Sequence, residues 1–155
     1  MKSTTLGYIE KDGCYLLLHR VKKENDLNKD KWIGIGGKLE ENESPEEGMC
    51  REALEETGLT IRSPRYCGIV TFVSDLWEGE YMHLFHITEF DGQLRDCDEG
   101  VLEWIPIERF SALPQWAGDK IFLKLLRDHA PFFSLKLQYE GERLAYAALN
   151  GERIG

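Results

Sequence analysis

Between Gly36 and Leu59 the chain reads GGKLEENESPEEGMCREALEETGL, a stretch holding eight carboxylates against two basic side chains, Lys38 and Arg51. Its punctuation is that of a helix. Ser44 is a capping residue, Pro45 suits the first helical position, and Glu47 stands three residues after Ser44, where it completes a capping box. Gly58 is a stop signal just past the end. The spacing predicts a helix from Pro45 to Thr57. At 3.6 residues per turn Glu52, Glu55 and Glu56 fall within an arc of about 100°, with Gly48 on the same face. Cys50, Ala53, Leu54 and Thr57 take the opposite side and are expected to make the core contact.

Like charges one turn apart cost roughly 0.2–0.5 kcal/mol per pair, so a carboxylate trio needs a reason. One reason is a solvated acidic face braced by Glu47–Arg51 and Arg51–Glu55 pairs. The other is a site for a hard, oxygen-seeking cation such as Mg²⁺, with Mn²⁺ as a substitute. Two features favour the cation. The trio has no neighbouring lysine, and WIGIGGK precedes it, a turn with three glycines in seven residues that permits unusual backbone angles and close approach of a ligand.

The flanking sequence supplies strands. TTLGYIE and CYLLLHRV, separated by KDG, read as a hairpin, and KKENDLNKDK reads as a polar loop. IRSPRYCGIVTFV and EYMHLFHITEF read as two strands, the second alternating through Tyr81, His83, Phe85 and Ile87. VLEWIPI is a short strand ended by Pro106. DKIFLKLLRDHAP is an amphipathic helix with Asp119 as its N-cap and Pro131 as its stop. FFSLKLQYEGERLAYAAL is a closing hairpin turned at Glu140-Gly141. Strands interrupted by two or more helices imply an α/β arrangement, a mixed sheet covered by helices. With 155 residues and no repeat or linker-like stretch, the expectation is one domain over residues 1–155.

A net charge of −9 excludes a large basic footprint for nucleic acid. It leaves small phosphorylated substrates open, because a bound divalent cation inverts the local field. The four cysteines are widely spaced and suit reduced thiols. No apolar segment follows Met1, and no apolar run approaches the ~20 residues that span a bilayer. A cytoplasmic protein without membrane contact is expected. The four histidines show no ligand spacing, and nothing signals an oligomeric state.

From Gly37 the chain has Gly, five residues, Glu43, seven residues, Arg51-Glu52, the aliphatic Ala53, any residue, Glu55-Glu56, any residue, and Gly58-Leu59. This resembles the complete Nudix box at all nine fixed positions. The resemblance implies the Nudix fold, an α/β/α sandwich around a mixed sheet, and cleavage of a nucleoside diphosphate linked to another group. It makes Glu52, Glu55 and Glu56 metal ligands together with the carbonyl of Gly37 or Gly36. It gives Arg51 and Glu43 structural roles, the first holding a box glutamate and the second supporting the junction of loop and helix.

More loosely, KWIGIGGKLE, EGVLEWIPIE, LPQWAGDKIFL and FFSLKLQYEGERLAY resemble the MutT-type branch, which hydrolyses nucleoside triphosphates and includes the 8-oxo-dGTP diphosphatases. That likeness places Glu99 beside the metals or the attacking water, Trp116 and Asp119 at the purine base, and Phe72 in the wall of the base pocket. Two positions depart from the animal-type enzymes. Ile33 stands where they have an asparagine, removing an amide that could read a purine edge, and Gly118-Asp119 stands where they have paired acids. Trp116 is equally readable as a packing aromatic, and Asp119 as a helix cap.

The chemistry implied is Mg²⁺-dependent hydrolysis of a nucleoside triphosphate to a monophosphate and pyrophosphate. The catalytic carboxylates would be Glu52, Glu56 and Glu99, with either Glu52 or Glu99 taking the proton from water. Lys23, Lys38 and Arg20 are candidates to clamp the phosphates. The alternatives are a Nudix hydrolase for ADP-ribose, a dinucleotide or a nucleotide sugar, and a nucleotide-binding regulator without catalysis.

Overall fold

Apolar runs without polar alternation, CYLLL above all, belong to strands covered on both faces. The computed structural model describes residues 1–24 and 26–155; Asn25, inside the stretch read as a polar loop, lies outside the described residues. β1 (Lys2–Lys11) and β2 (Cys14–His19) form the expected hairpin, with Ile9 opposite Leu16. Tyr8 and Leu17 face one side of it, and Ile9, Leu16 and Leu18 face the other.

The remaining strands are β3 (Trp32–Ile33), β4 (Thr60–Arg62), β5 (Arg65–Ser74), β6 (Glu80–Ile87), β7 (Glu89–Asp91), β8 (Val101–Pro106), β9 (Phe133–Glu140), β10 (Arg143–Leu149) and β11 (Glu152–Arg153). Nine of them make one mixed sheet in the order β11-β10-β9-β5-β6-β1-β2-β3, with β8 also paired to β2. β1 runs parallel to β6, and β5 parallel to β9. Helix α1 (Pro45–Thr57) covers one face, where Met49 and Ala53 join Ile9, Phe85 and Ile87. Helix α3 (Asp119–Arg127) covers the other, where Phe122 and Leu126 join Tyr8, Val70 and Leu135. A helix on each face of a mixed sheet is the expected α/β/α arrangement.

Several local expectations are corrected. Both long strands of the middle region break. Ser63 adopts φ 47° ahead of Pro64, which has no N–H for a ladder, so β4 leaves the main sheet and pairs with β7 instead. Past Pro106 the chain makes a one-turn helix, α2 (Ile107–Phe110), which no periodicity foretold. Gly118, not Asp119, caps α3, and no side chain bonds to its first turn. That helix ends at Arg127, short of Pro131, and the closing hairpin turns over Gly141 and Glu142.

α1 itself has the predicted limits and both halves of the capping box, Ser44 N–H to Glu47 Oε1 at 2.9 Å and Glu47 N–H to Ser44 Oγ at 3.1 Å. Its buried face differs from the expected one. At 100° per residue Met49, Ala53 and Glu56 fall within about 60° of each other, and these residues are buried. Leu54, expected inside, is 47% exposed.

β1 and β2 pair only near their turn; farther along they diverge, and residues 32–38 fill the fork. β3 pairs with Leu18 and His19, while Ile35 bridges to Gly7 and Lys38 to Thr4. The fit leaves no space: a Cβ on Gly36 would stand 1.9 Å from the carbonyl oxygen of Thr5. Gly36→Ala is therefore expected to lower stability by about 3 kcal/mol or more. Thermal unfolding checks this, and an unchanged Tm would mean that the fork opens freely.

Candidate active site

On the α3 face of the sheet a cavity of about 310 Å³ opens where the fork meets the helices. It has two ends of different chemistry. Arg20, Lys38, Glu52 and Glu99 line one; Leu27, Phe72, Trp116, Asp119 and Leu137 line the other.

At the charged end the three box carboxylates do not share one exposed ridge. Glu55 is 58% exposed and bonds Arg51 Nη1 at 3.1 Å, away from the cavity lining. Glu52 lines the cavity, its Oε1 held by Arg51 Nη1 at 3.0 Å. It lies so close to the glycine turn that a Cβ on Gly37 would be 2.7 Å from that oxygen. The Gly37 carbonyl accepts the N–H of Thr5 at 2.9 Å and, at the longer distance of 3.5 Å, its hydroxyl. Glu56 is buried behind Glu52, and neither of its carboxylate oxygens has a hydrogen-bond partner.

Burial, then the charges of Glu99 and Glu52, push Glu56 up to about 9, with Arg20 opposing. Glu52 is also lifted, mainly by burial, against the pull of Arg51. Glu99 sits on the turn between Cys97 and Gly100 and bonds Arg20 Nη1 and Lys23 Nζ, each at 3.3 Å. Lys23 itself stands off the cavity lining.

These groups fit a divalent cation in kind. They are hard oxygen donors, and burial keeps on the orphaned carboxyl of Glu56 a proton that a bound cation would displace. Among the described residues no three acidic, His or Cys side chains are already drawn into a metal cage.

Arg51 joins the pieces. Its Nε bonds Glu43 Oε2 at 2.7 Å and its Nη2 bonds the Lys38 carbonyl at 3.1 Å, fastening the loop before α1 to the helix. The guanidinium holds the Glu43 carboxyl below its ordinary range.

The other end is an aromatic box. Trp116 meets Phe72 and Tyr139 edge-on, with centroids 5.3 Å and 4.8 Å away. It therefore packs in the core and walls the cavity at once. Lys31 Nζ lies 4.6 Å from the Trp116 ring centroid and also pairs with Glu142. Asp119 is buried, and burial lifts its carboxyl to about 8 against the pull of Lys31. Ile33 lines the cavity and brings no polar atom to it.

The structure thus gathers Gly37, Lys38, Glu52, Phe72, Glu99, Trp116 and Asp119 around one cavity, while Lys23, Glu55 and Glu56 stand outside its lining. Sequence reasoning missed Tyr8, Asn28, Lys31 and Tyr139. Tyr8 and Tyr139 each stand two residues from a cavity-lining Leu6 or Leu137, so strand alternation was a usable signal for them. Asn28 and Lys31 lie in a loop without periodicity.

The model of the NUDIX domain family matches residues 6–126. The chain is 31% identical over 127 residues to an oxidized purine nucleoside triphosphate hydrolase of Danio rerio, covering 81% of this chain and 79% of the relative. It is 29% identical over 121 residues to the CTP pyrophosphohydrolase of Escherichia coli, covering 77% and 86%. Among solved structures a MutT protein from Bacillus halodurans superposes with a TM-score of 0.85 at 27% identity, over 98% of this chain and 99% of that one.

Asp119 offers a test that needs neither substrate nor metal. A carboxyl lifted by burial keeps a proton in the fold that the unfolded chain has already lost, so its contribution to stability falls as pH rises. Asp119→Asn is expected to raise Tm over the parent protein by a margin that widens with pH and levels off above about 8. A margin constant with pH, read by thermal scans, would contradict the lifted carboxyl.

Proposed function

Because the chain belongs to the NUDIX family and is a hydrolase of nucleotide diphosphate anhydrides, we propose that it splits a nucleoside triphosphate, foremost an oxidised purine nucleotide such as 8-oxo-dGTP, into a monophosphate and pyrophosphate. One observation carries this reading: a single cavity joins an aromatic, acid-floored end to an end lined with carboxylates and cations. The similarity to a relative named as an oxidized purine nucleoside triphosphate hydrolase supports it.

In this reading Phe72 and Trp116 enclose the base, and the neutral carboxyl of Asp119 both donates and accepts at its edge. Arg20, Lys23 and Lys38 draw in the phosphates. Glu52 and Glu56, joined by Glu55 once it leaves Arg51 and by the carbonyl of Gly37, would hold the divalent cation that Nudix hydrolases use, here Mg²⁺ or Mn²⁺. Such a cation neutralises phosphate oxygens and acidifies a bound water. Glu99, more exposed than the Arg51-tethered Glu52, takes the proton from the attacking water.

The test is a screen in Mg²⁺ of dGTP, 8-oxo-dGTP, 2-hydroxy-dATP, CTP and ADP-ribose, with the products identified to locate the broken bond. Monophosphate and pyrophosphate from an oxidised purine triphosphate are expected. Faster cleavage of ADP-ribose, a dinucleotide or a nucleotide sugar would overturn the substrate class. Glu52→Gln and Glu56→Gln should each lower kcat by at least about 100-fold. Without metal, Glu56→Gln should hold or raise Tm, since it removes a buried carboxylate that has no partner. A variant with near-full turnover would remove its residue from the site.

A further inference from the structure

Asn28 is held from three directions at the aromatic end of the cavity. Its Oδ1 accepts the indole N–H of Trp116 at 2.8 Å. Its backbone N–H donates to Asp26 Oδ1 at 3.0 Å, and its carbonyl accepts the N–H of Lys31 at 2.8 Å. Asp26 is itself anchored, because Arg20 Nε donates to its Oδ2 at 2.7 Å. An indole N–H can only donate. The amide is therefore oriented by its partner, oxygen toward Trp116 and NH₂ away from it.

That NH₂ has no partner among the described residues, and Asn28 lines the cavity. Two other polar groups share this end. The carboxyl of Asp119 lines it, and the hydroxyl of Tyr8, on the same wall, is buried with no hydrogen-bond partner. Position 33, an isoleucine, adds nothing polar. A tethered amide whose donors are unspent is a rigid reader of hydrogen-bond acceptors, because a group that fails to accept leaves them desolvated and unpaired.

We propose that Asn28 determines base specificity, its fixed NH₂ selecting a purine that presents an oxo group to it over one that presents an amine. The inference rests on the nucleoside triphosphate reading above. An oxo group accepts from the amide. An amine in its place sets donor against donor, a mismatch of the kind that discriminates bases in other recognition sites.

The experiment separates base recognition from hydrolysis. Calorimetry without metal gives Kd for dGMP, 8-oxo-dGMP and dAMP, and kinetics give kcat/KM for the corresponding triphosphates. Asn28→Asp keeps an oxygen for Trp116 and turns the donor into an acceptor. The preference for the 6-oxo over the 6-amino purine is expected to fall at least about tenfold in both measurements, with weaker dGMP and tighter dAMP binding. Asn28→Ala, which removes the amide, should bring the preference toward unity, and it reads the same ratio if Asn28→Asp does not fold. Equal weakening for every base, or an unchanged ratio, would overturn the proposal and leave Asn28 as a prop for Trp116. A parent protein that binds dGMP over dAMP yet cleaves no triphosphate would sink the substrate reading alone.

Discussion

The fork between β1 and β2 is the constraint on which the rest of the structure depends. α1 packs on the face of the sheet that holds Ile9, Phe85 and Ile87, whereas the aromatic end of the cavity belongs to the face that holds Tyr8, Val70 and Phe72. An unbroken β1–β2 ladder would wall the carboxylates of the helix off from that cavity. Residues 32–38, wedged between the two strands, replace part of the ladder with backbone that has no side chain at Gly36 or Gly37. The glycines were recognisable from sequence as a place of close approach. What approaches first is the protein's own backbone and the Glu52 carboxylate, which passes the turn from one face to the other.

Charge is distributed unevenly around this opening. Arg51 spends its donors on Glu43, Glu52, Glu55 and the Lys38 carbonyl, so three of the segment's carboxylates are paired to one cation. Glu56 is not. It lies in the buried arc of α1 beside Met49, where a helix of this kind would otherwise carry an apolar residue. An unpaired carboxyl at such a position destabilises the fold, a local cost that fits the cation-holding role proposed for Glu56. Repulsion along an acidic helix is thus a smaller issue than it looks in the sequence, while burial of one member of the trio is a larger one.

Strand and helix limits were legible where backbone chemistry is local. Ser44, Pro45, Glu47 and Gly58 set the ends of α1, and two apolar runs around the turn at Asp12-Gly13 set β1 and β2. Legibility failed where tertiary contact decides. The wheel for α1 omitted Met49, which sits at the centre of the buried arc, and so rotated the core face toward Leu54. Asp119 reads as a cap from its place before an amphipathic run, yet its side chain turns into the cavity and leaves the helix start to Gly118. The partners of Trp116 come from residues 28 and 31, far away in sequence and in a polar loop with no pattern to read. The motif marks the carboxylates; the surroundings that set their different burial come from four separate segments.

The loop between β2 and β3 is where the two ends of the cavity become one device. Arg20 bonds Glu99 on one side and Asp26 on the other; Asp26 holds the Asn28 backbone, and Asn28 holds Trp116. Each link is a hydrogen bond between groups at least partly withdrawn from water, where such bonds are more directional and costlier to leave unmade. The loop's own base is closed by pairing of Arg20 with Asp30 and Lys31. A displacement of Trp116 by a bound base would therefore pull on the same loop that positions Arg20 against Glu99. On the proposed reading, base recognition and the placement of Glu99 are joined through these four hydrogen bonds, so that a base that seats Trp116 poorly leaves Glu99 poorly held as well.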